Sequence, residues 1–304
     1  MSVLLTGASG FLGQRLYRVL SKTDLVTSLS RQGVGPGHIA CNLAVETPDL
    51  SPYRFDCVVN AAGKAHSVPR TAGDAADYEQ VNVQGLKRLL TALEQSAALP
   101  HAFVHMSTIL TYGCSAGEVL DENTPLRATD VYGQSKIRAE AVVQEWGAKT
   151  GVKTTILRLP LVVAENPRGN LAALIQAIRR GRYVRIGDGS CRRSMVLADD
   201  VARIIPKAAH YPGIYNLTDG VHPSVRELED AIARQVGRRR LPSVPLFAAR
   251  AVATVGDGIN AIVGRRFPLD SMALAKLTQS LTFSDLRARQ QLGWDPKPVV
   301  SFFE

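Results

Sequence analysis

Short apolar runs alternate with stretches whose apolar residues recur every three or four positions through the first half of this chain. Residues 2–5 read as an apolar strand. Residues 14–21 read as a helix with Leu16, Val19 and Leu20 on one face. Residues 25–30 read as a second strand, and the alternation continues to about Pro160. Alternating strands and helices predict an α/β fold, a doubly wound parallel sheet with helices on both faces. Residues 194–217 read as strand, helix and strand, a return to that core. Residues 218 to about 281 read as mostly helical, with one helix over 224–236, and the tail rejoins the core near Trp294. No internal repeat or low-complexity segment interrupts this order.

Gly7, Gly10 and Gly13 fall at three-residue spacing between the first strand and the first helix. The spacing is Gly-x-x-Gly-x-x-Gly rather than the commoner Gly-x-Gly-x-x-Gly. Strand, glycine turn and helix is nonetheless the setting of a dinucleotide site. The glycines allow a tight turn and close approach of backbone to a pyrophosphate, and the helix start offers oriented N–H groups to that anion. A second candidate lies in Asp130-Val-Tyr-Gly-Gln-Ser-Lys136. A four-residue step sets Tyr132 and Lys136 on one helix face. A free phenol, with a pKa of about 10, is a poor acid or base near neutrality. A nearby ammonium favours the phenolate, so Lys136 is expected to lower the Tyr132 pKa. The pair then reads as a proton relay between a hydroxyl and a carbonyl, against the blander reading of a solvated helix face.

With both elements in place, the chain resembles the extended short-chain dehydrogenase/reductase family, in its nucleotide-sugar epimerase/dehydratase/reductase branch, over essentially its whole length. Val58-Val-Asn-Ala-Ala-Gly63 resembles the strand beside the cofactor, and Asn82 matches the family's helix asparagine. Phe103-Val-His-Met-Ser-Thr108, followed by Tyr112-Gly113, resembles the strand that ends in the catalytic Ser/Thr. Leu157-Arg-Leu-Pro160 resembles the strand that closes over the nicotinamide. Arg193 to Val201 resembles the arginine strand before Asp-Asp-Val, and Leu292-Gly-Trp-Asp-Pro296 the C-terminal signature. The resemblance implies a Rossmann-type sheet with a smaller, mostly helical substrate lobe. Residues 1–160 would form the dinucleotide-binding domain, completed by about 194–217 and 282–304. Residues 161–193 and 218–281 would form the lobe.

The resemblance also implies site residues. Thr108, Tyr132 and Lys136 would be catalytic, Thr108 polarising a carbonyl while Tyr132 transfers the proton. Ser107, next along the strand, should point away. The cofactor would meet Gly7, Ser9, Gly10, Phe11, Leu12 and Gly13 of the glycine turn. It would also meet Ser30, Arg31, Asn42 and Leu43 around the adenosine. Ala61, Ala62, Gly63, Leu159, Tyr132 and Lys136 would line the rest of its path. The substrate would meet Lys64, Thr108, Asn170, Arg193 and Arg266. Asn170 reads locally as a helix N-cap, and the resemblance puts its helix start at the diphosphate. Arg193 offers a planar guanidinium to two phosphate oxygens. Arg266 stands beside the equally eligible Arg265.

In the dehydratases of this branch an Asp and a Glu directly follow the catalytic Thr. Here Ile109 and Leu110 stand there and cannot exchange protons. Proton and hydride transfer at a single carbon remains. The second strand ends in Ser30-Arg31, and no acid lies between Leu25 and Glu46. An acid there holds the ribose 2′-OH of NAD, whereas an Arg accommodates a 2′-phosphate. NADP (NADPH) is therefore the expected cofactor, with Arg31 stacking on the adenine of NAD as the other reading. The expected activity is reduction of the C4 ketone of a nucleotide-activated deoxy-amino sugar. It resembles the bacterial UDP-4-keto-6-deoxy-N-acetylhexosamine 4-reductases of surface polysaccharide (O-antigen, capsule, lipopolysaccharide) precursor synthesis. An NAD-dependent UDP-sugar 4-epimerase is the alternative, and a non-catalytic dinucleotide-binding regulator the second.

Composition fits a soluble globular protein: 45% hydrophobic residues in 304, with mean hydropathy near zero. The chain enters a strand at once, which leaves no room for a signal peptide before it. The longest apolar stretch, 246–263, contains Arg250, Asp257 and Asn260 and reads as an amphipathic helix rather than a membrane insertion. Cys41, Cys57, Cys114 and Cys191 have no metal or redox spacing and read as reduced thiols in a cytoplasmic protein. The six histidines are scattered. His66 and His105 fall near the cofactor cleft and read as structural, and no metal is expected. The net charge of +9 suits anionic small molecules such as NADP and a UDP-linked sugar. Basic and aromatic residues are not interleaved as nucleic-acid binding would require. Arg238-Arg-Arg240 reads as a solvated helix end. A homodimer stays open.

Overall fold

Seven parallel strands make the central sheet in the computed structural model of the chain, which describes residues 1–65, 71–238, 240–263 and 270–304. They are β1 (Ser2–Thr6), β2 (Leu25–Ser30), β3 (His38–Ala40), β4 (Cys57–Asn60), β5 (Ala102–Thr108), β6 (Lys153–Leu159) and β7 (Gly213–Asn216). Their order is β7-β6-β5-β4-β1-β2-β3. The order reverses between β1 and β4, so the connections leaving their carboxyl ends diverge and open a crevice there.

The helices are α1 (Phe11–Leu20), α2 (Ala72–Glu79), α3 (Gly85–Glu94), α4 (Val131–Thr150) and α5 (Gly169–Arg179), then α6 (Ala198–Ala208), α7 (Val225–Gln235), α8 (Leu246–Val263), α9 (Ser271–Thr278) and α10 (Leu286–Leu292). Alternation along each strand decides which face each residue serves. Val3, Leu5, Val104 and Leu157 meet Leu16, Leu20, Ile205 and Leu292, so α1, α6 and α10 cover one face. Leu4, Val58, Phe103 and Ile156 meet Leu89, Leu93, Val143 and Trp146, so α3 and α4 cover the other. Coverage of both faces is why these strands read as continuous apolar runs.

A third cluster unites α5 and α7 through Leu171, Ile178, Leu228 and Ile232. The tail serves two clusters: Ala288, Leu292 and Trp294 pack with the sheet, and Val299 and Phe303 with α5 and α7. The strand expected at the start of 194–217 does form, over Met195–Leu197. It pairs with Leu161–Val163 in a separate two-stranded sheet rather than joining the large one. Two further parallel pairs join Arg185–Ile186 to Ser243–Val244 and Gly117–Leu120 to Leu281–Phe283. Among the described residues no helix is long and apolar enough to cross a membrane.

Candidate active site

The glycine turn closes over the crevice at the end of β1. Gly7 has φ +67°, and a Cβ there would lie 2.6 Å from the Ala62 backbone nitrogen. A Cβ on Gly13 would overlap the Gly7 carbonyl. Only glycine fits either place. Gly7 N–H donates to Leu29 O and Gly10 N–H to Gly7 O, both at 2.9 Å. Gly10 caps α1 with extended backbone and no side-chain bond, and the first N–H groups of a helix have no partner within it. This shallow, side-chain-free cradle at a helix start fits a dinucleotide pyrophosphate. Past the end of β2, the Ser30 hydroxyl donates to Gln32 O at 2.6 Å and Arg31 is exposed. Asn42 accepts from Ala44 N–H at 3.3 Å and so folds its own loop, while Leu43 is buried against α3.

Thr108 ends β5 and is 7% exposed. Its hydroxyl accepts from Leu110 N–H at 3.3 Å, starting a turn of 3-10 helix over Ile109–Tyr112. Leu159 of β6 pairs with it in register. Asp130 caps α4 by accepting from Gly133 N–H at 2.9 Å, which sets Tyr132 in the first turn. Thr108 lies close enough to the Tyr132 phenol to oppose the rise that burial gives it. Lys136 lies one turn further on, buried, and donates to Met106 O at 2.6 Å. Thr108, Tyr132 and Lys136 therefore converge on the carboxyl end of β5, as the spacing required.

The charge on Lys136 does not act as expected. Its ammonium donates to the β5 backbone, and the Tyr132 phenol sits above rather than below its ordinary pKa. Burial pushes the Tyr132 phenol up to about 12, with Thr108 opposing and Tyr78 and Asp130 adding to the rise. Desolvation outweighs any cationic help, and the phenol stays protonated. Burial also brings Lys136 down to about 8, opposed by Glu140.

Register sets Thr6 of β1, Asn60 of β4 and His105 of β5 side by side. The Thr6 hydroxyl lies 2.6 Å from Asn60 Oδ1, and Asn60 Nδ2 lies 3.0 Å from His105 Nδ1. His105 Nε2 lies 3.2 Å from Lys136 Nζ. All four side chains are buried. Burial, then the Lys136 charge, hold His105 well below its ordinary pKa, so the imidazole is neutral. A neutral imidazole accepts at one nitrogen only. With Lys136 an ammonium, Nε2 accepts and Nδ1 carries the proton. That tautomer calls for the Asn60 oxygen toward His105, the reverse of the orientation in the structure, where Thr6 donates to Asn60 Oδ1. His105 is thus a buried histidine with both ring nitrogens partnered, as the structural reading from sequence expected.

Ser107 points away from Thr108, as alternation required, and donates to Glu140 Oε1. Glu140 pairs with Arg158 at 2.6 Å, with both side chains buried. Arg158 donates to the Tyr112 hydroxyl at 2.9 Å, which donates to Asn216 Oδ1 at 2.7 Å. This network fastens α4 to β5, β6 and β7 beneath the site. Asn82, in a π-helical turn over Gln80–Gln84, fastens its other side. It accepts from Lys64 N–H at 2.7 Å and donates to the Ser135 hydroxyl at 2.9 Å. Ala61, Ala62 and Gly63 run between β4 and this tie. Lys64 pairs with Asp77 at 2.7 Å and lies 5.2 Å from the centroid of the Tyr78 ring, which packs against Tyr132.

Sequence reasoning missed this supporting shell. Its signal was polar residues in apolar strands: Thr6 ends β1, Asn60 ends β4 and His105 lies midway along β5.

The lobe residues fare unevenly. Asn170 does not cap α5: the cap is Arg168, and Gly169, with φ +63°, turns the chain into the helix before Asn170 is reached. Asn170 is exposed in the first turn. Arg193 donates to Lys276 O through Nη2, while its Nη1 is buried with no partner among the described residues. Burial lowers its pKa, and it has no salt bridge among the described residues. Arg266, with Arg265 and His66, lies outside the described residues.

Such a crevice, with a hydroxyl, a phenol and an ammonium gathered at the next strand end but one, defines a nicotinamide-dinucleotide enzyme of the extended short-chain dehydrogenase/reductase type. The profile of the NAD dependent epimerase/dehydratase family matches residues 3–217, and the chain belongs to that family. It is 27% identical over 300 residues to the N-acetyl-alpha-D-glucosaminyl-diphospho-ditrans,octacis-undecaprenol 4-epimerase of Escherichia coli O157:H7, covering 93% of this chain and 87% of that protein. It is also 27% identical over 310 residues to the 4-hydroxy-2-methyl-3-oxo-4-farnesyl-3,4-dihydroquinoline-1-oxide ketoreductase of Stigmatella aurantiaca, covering 97% and 92%. Among solved structures, RMD from Pseudomonas aeruginosa complexed with NADPH shares the fold, with TM-score 0.73 at 20% identity, covering 98% of this chain and 94% of that one.

Proposed function

We propose that this chain is an NADP-dependent reductase of the C4 ketone of a nucleotide-activated deoxy-amino sugar, a cytoplasmic step in making surface polysaccharide precursors. The observation that carries this reading is Arg31, an exposed cation just past the end of β2, with no acid in the chain between Leu25 and Glu46. A protonated phenol is the acid that ketone reduction needs. Thr108 holds and polarises the carbonyl oxygen, and Tyr132 gives it a proton. Lys136 holds the nicotinamide ribose. When bound, the nicotinamide supplies the hydride. Gly7, Gly10 and Gly13 seat the pyrophosphate beside Ser9, Phe11 and Leu12, and Arg31 meets the 2′-phosphate. Ile109 and Leu110 leave no acid–base pair for eliminating water.

Residues 161–193 and 218–281 form the substrate lobe in this reading. Arg193 supports a diphosphate there, because its buried Nη1 lacks a partner among the described residues, which phosphate oxygens would provide. Lys64, Asn170 and Arg266 complete the substrate contacts. A second reading, a 4-epimerase with bound NAD, is favoured by the Escherichia coli relative, whose name gives a 4-epimerase of a diphospho-linked sugar.

Tyr132→Phe tests the role of the phenol. The variant should bind NADPH nearly as the parent does and lose roughly 10²–10⁴-fold in turnover, the usual contribution of a general acid–base group. Unchanged turnover would remove Tyr132 from the mechanism.

A further inference from the structure

Positive charge is spread unevenly over this chain. Between Glu165 and Asp188 the sequence carries Arg168, Arg179, Arg180, Arg182 and Arg185 and no acid. Between Asp230 and Asp257 it carries Arg234, Arg238, Arg239, Arg240 and Arg250 and no acid. The fold joins these two runs. Arg185–Ile186 pairs with Ser243–Val244, and Arg238 donates to Arg179 O at 3.0 Å. Arg185 is taken up by Glu229 and Asp230, and Arg234 meets Glu304. Arg179, Arg180, Arg182, Arg238, Arg240 and Arg250 are exposed and have no salt bridge among the described residues. The ends of α5 and α7 explain a basic residue or two each, not a field of this size.

Within the second run, α8 exposes an apolar face. Ala249 and Ala253 turn inward and pack with Leu274. Phe247 is 76% exposed and Val255 63%, with Ala251 exposed between them. Four-residue steps set these three on one stripe. Arg250 flanks it, and Val252 and Val184 add exposed apolar surface nearby in the chain and in the paired strand segment.

We propose that this face of the lobe docks on an anionic lipid surface, with α8 lying in the interface. Phe247, Ala251 and Val255 enter the boundary between headgroups and acyl chains, and the surrounding arginines meet lipid phosphates. An apolar stripe beside basic residues is the pattern that such a surface rewards. A second copy of the chain fits worse, because a two-fold contact on this face sets the arginine fields against each other. A nucleic acid offers nothing to the apolar stripe. Docking does not depend on the catalytic reading, and lipid binding can be measured without substrate.

The test is sedimentation of the full chain with vesicles of phosphatidylcholine alone or mixed with phosphatidylglycerol, at low and high salt. The protein should sediment with the mixed vesicles and much less with the neutral ones, and high salt should release it. Arg238→Glu and Arg240→Glu should each weaken binding by about fivefold or more, and Phe247→Ser with Val255→Ser by about tenfold. NADPH titration of each variant checks that it folds. Failure to bind anionic vesicles at low salt would overturn the proposal, as would binding that ignores both sets of substitutions. A dimer in light scattering that Phe247→Ser dissolves would assign the face to a second copy instead.

Discussion

His105 stands between apolar Val104 and Met106 in β5, and each of its ring nitrogens has a partner. Lys136 as an ammonium has two acceptors, Met106 O and His105 Nε2. Beside it lies Glu140, itself paired with Arg158. Removing an acceptor disfavours the charged form, so the Lys136 pKa, already down to about 8, must fall further. If turnover needs the ammonium, the alkaline limb of kcat/KM moves to lower pH in His105→Phe. It stays near the parent in His105→Gln, which keeps an acceptor. Identical limbs in parent and both variants would leave His105 as packing alone. Arg31 is legible at the same scale, since an exposed cation at the end of β2 has an electrostatic purpose but no packing one. Arg31→Asp should narrow or reverse a preference for NADPH over NADH, and equal affinities of the parent for both in titration calorimetry would contradict the 2′-phosphate reading. Tyr132 and Lys136 could be paired from spacing because a helix turn is local, whereas Thr108 came from the family resemblance. The ladder from Thr6 to Lys136 could not, because it exists only once three strands are in register.

The glycine turn was legible as an element because its flanking strand and helix were. Its helix begins at Phe11, earlier than the apolar spacing implied, since the turn itself winds into α1. Gly13 is where the turn and the helix press together. A methyl there overlaps the Gly7 carbonyl. Overpacking costs about 1–3 kcal/mol, so Gly13→Ala should lower Tm and weaken NADPH binding by about tenfold. Normal binding would mean that the turn is not the pyrophosphate seat. Two misreadings share a cause. Asn170 has the chemistry of a cap, but the positive φ of Gly169 starts α5 one residue before it. Residues 195–197 have the look of a core strand, and periodicity cannot say which sheet a strand joins.

The whole molecule was legible where burial is two-sided. Strands covered on both faces read as apolar runs, and helices covered on one face read as stripes, which is enough for a doubly wound sheet. The tail was harder: Trp294 serves the sheet, and Phe303 the cluster of α5 and α7. The lobe's polar contacts, Arg193 among them, depend on approaches between distant segments such as 193 and 276. Reduction and epimerisation at C4 use the same residues, so only Arg31 and the lack of an acid between Leu25 and Glu46 favour one over the other. The deciding measurement is made on the purified protein, first assayed for bound cofactor and then given a UDP-4-keto-6-deoxy-hexosamine with NADPH. A reductase arrives largely free of cofactor and oxidises NADPH in step with sugar consumed, which is the predicted result. A protein that carries NAD through purification and equilibrates UDP-glucose with UDP-galactose, or their N-acetyl forms, without added cofactor would contradict it.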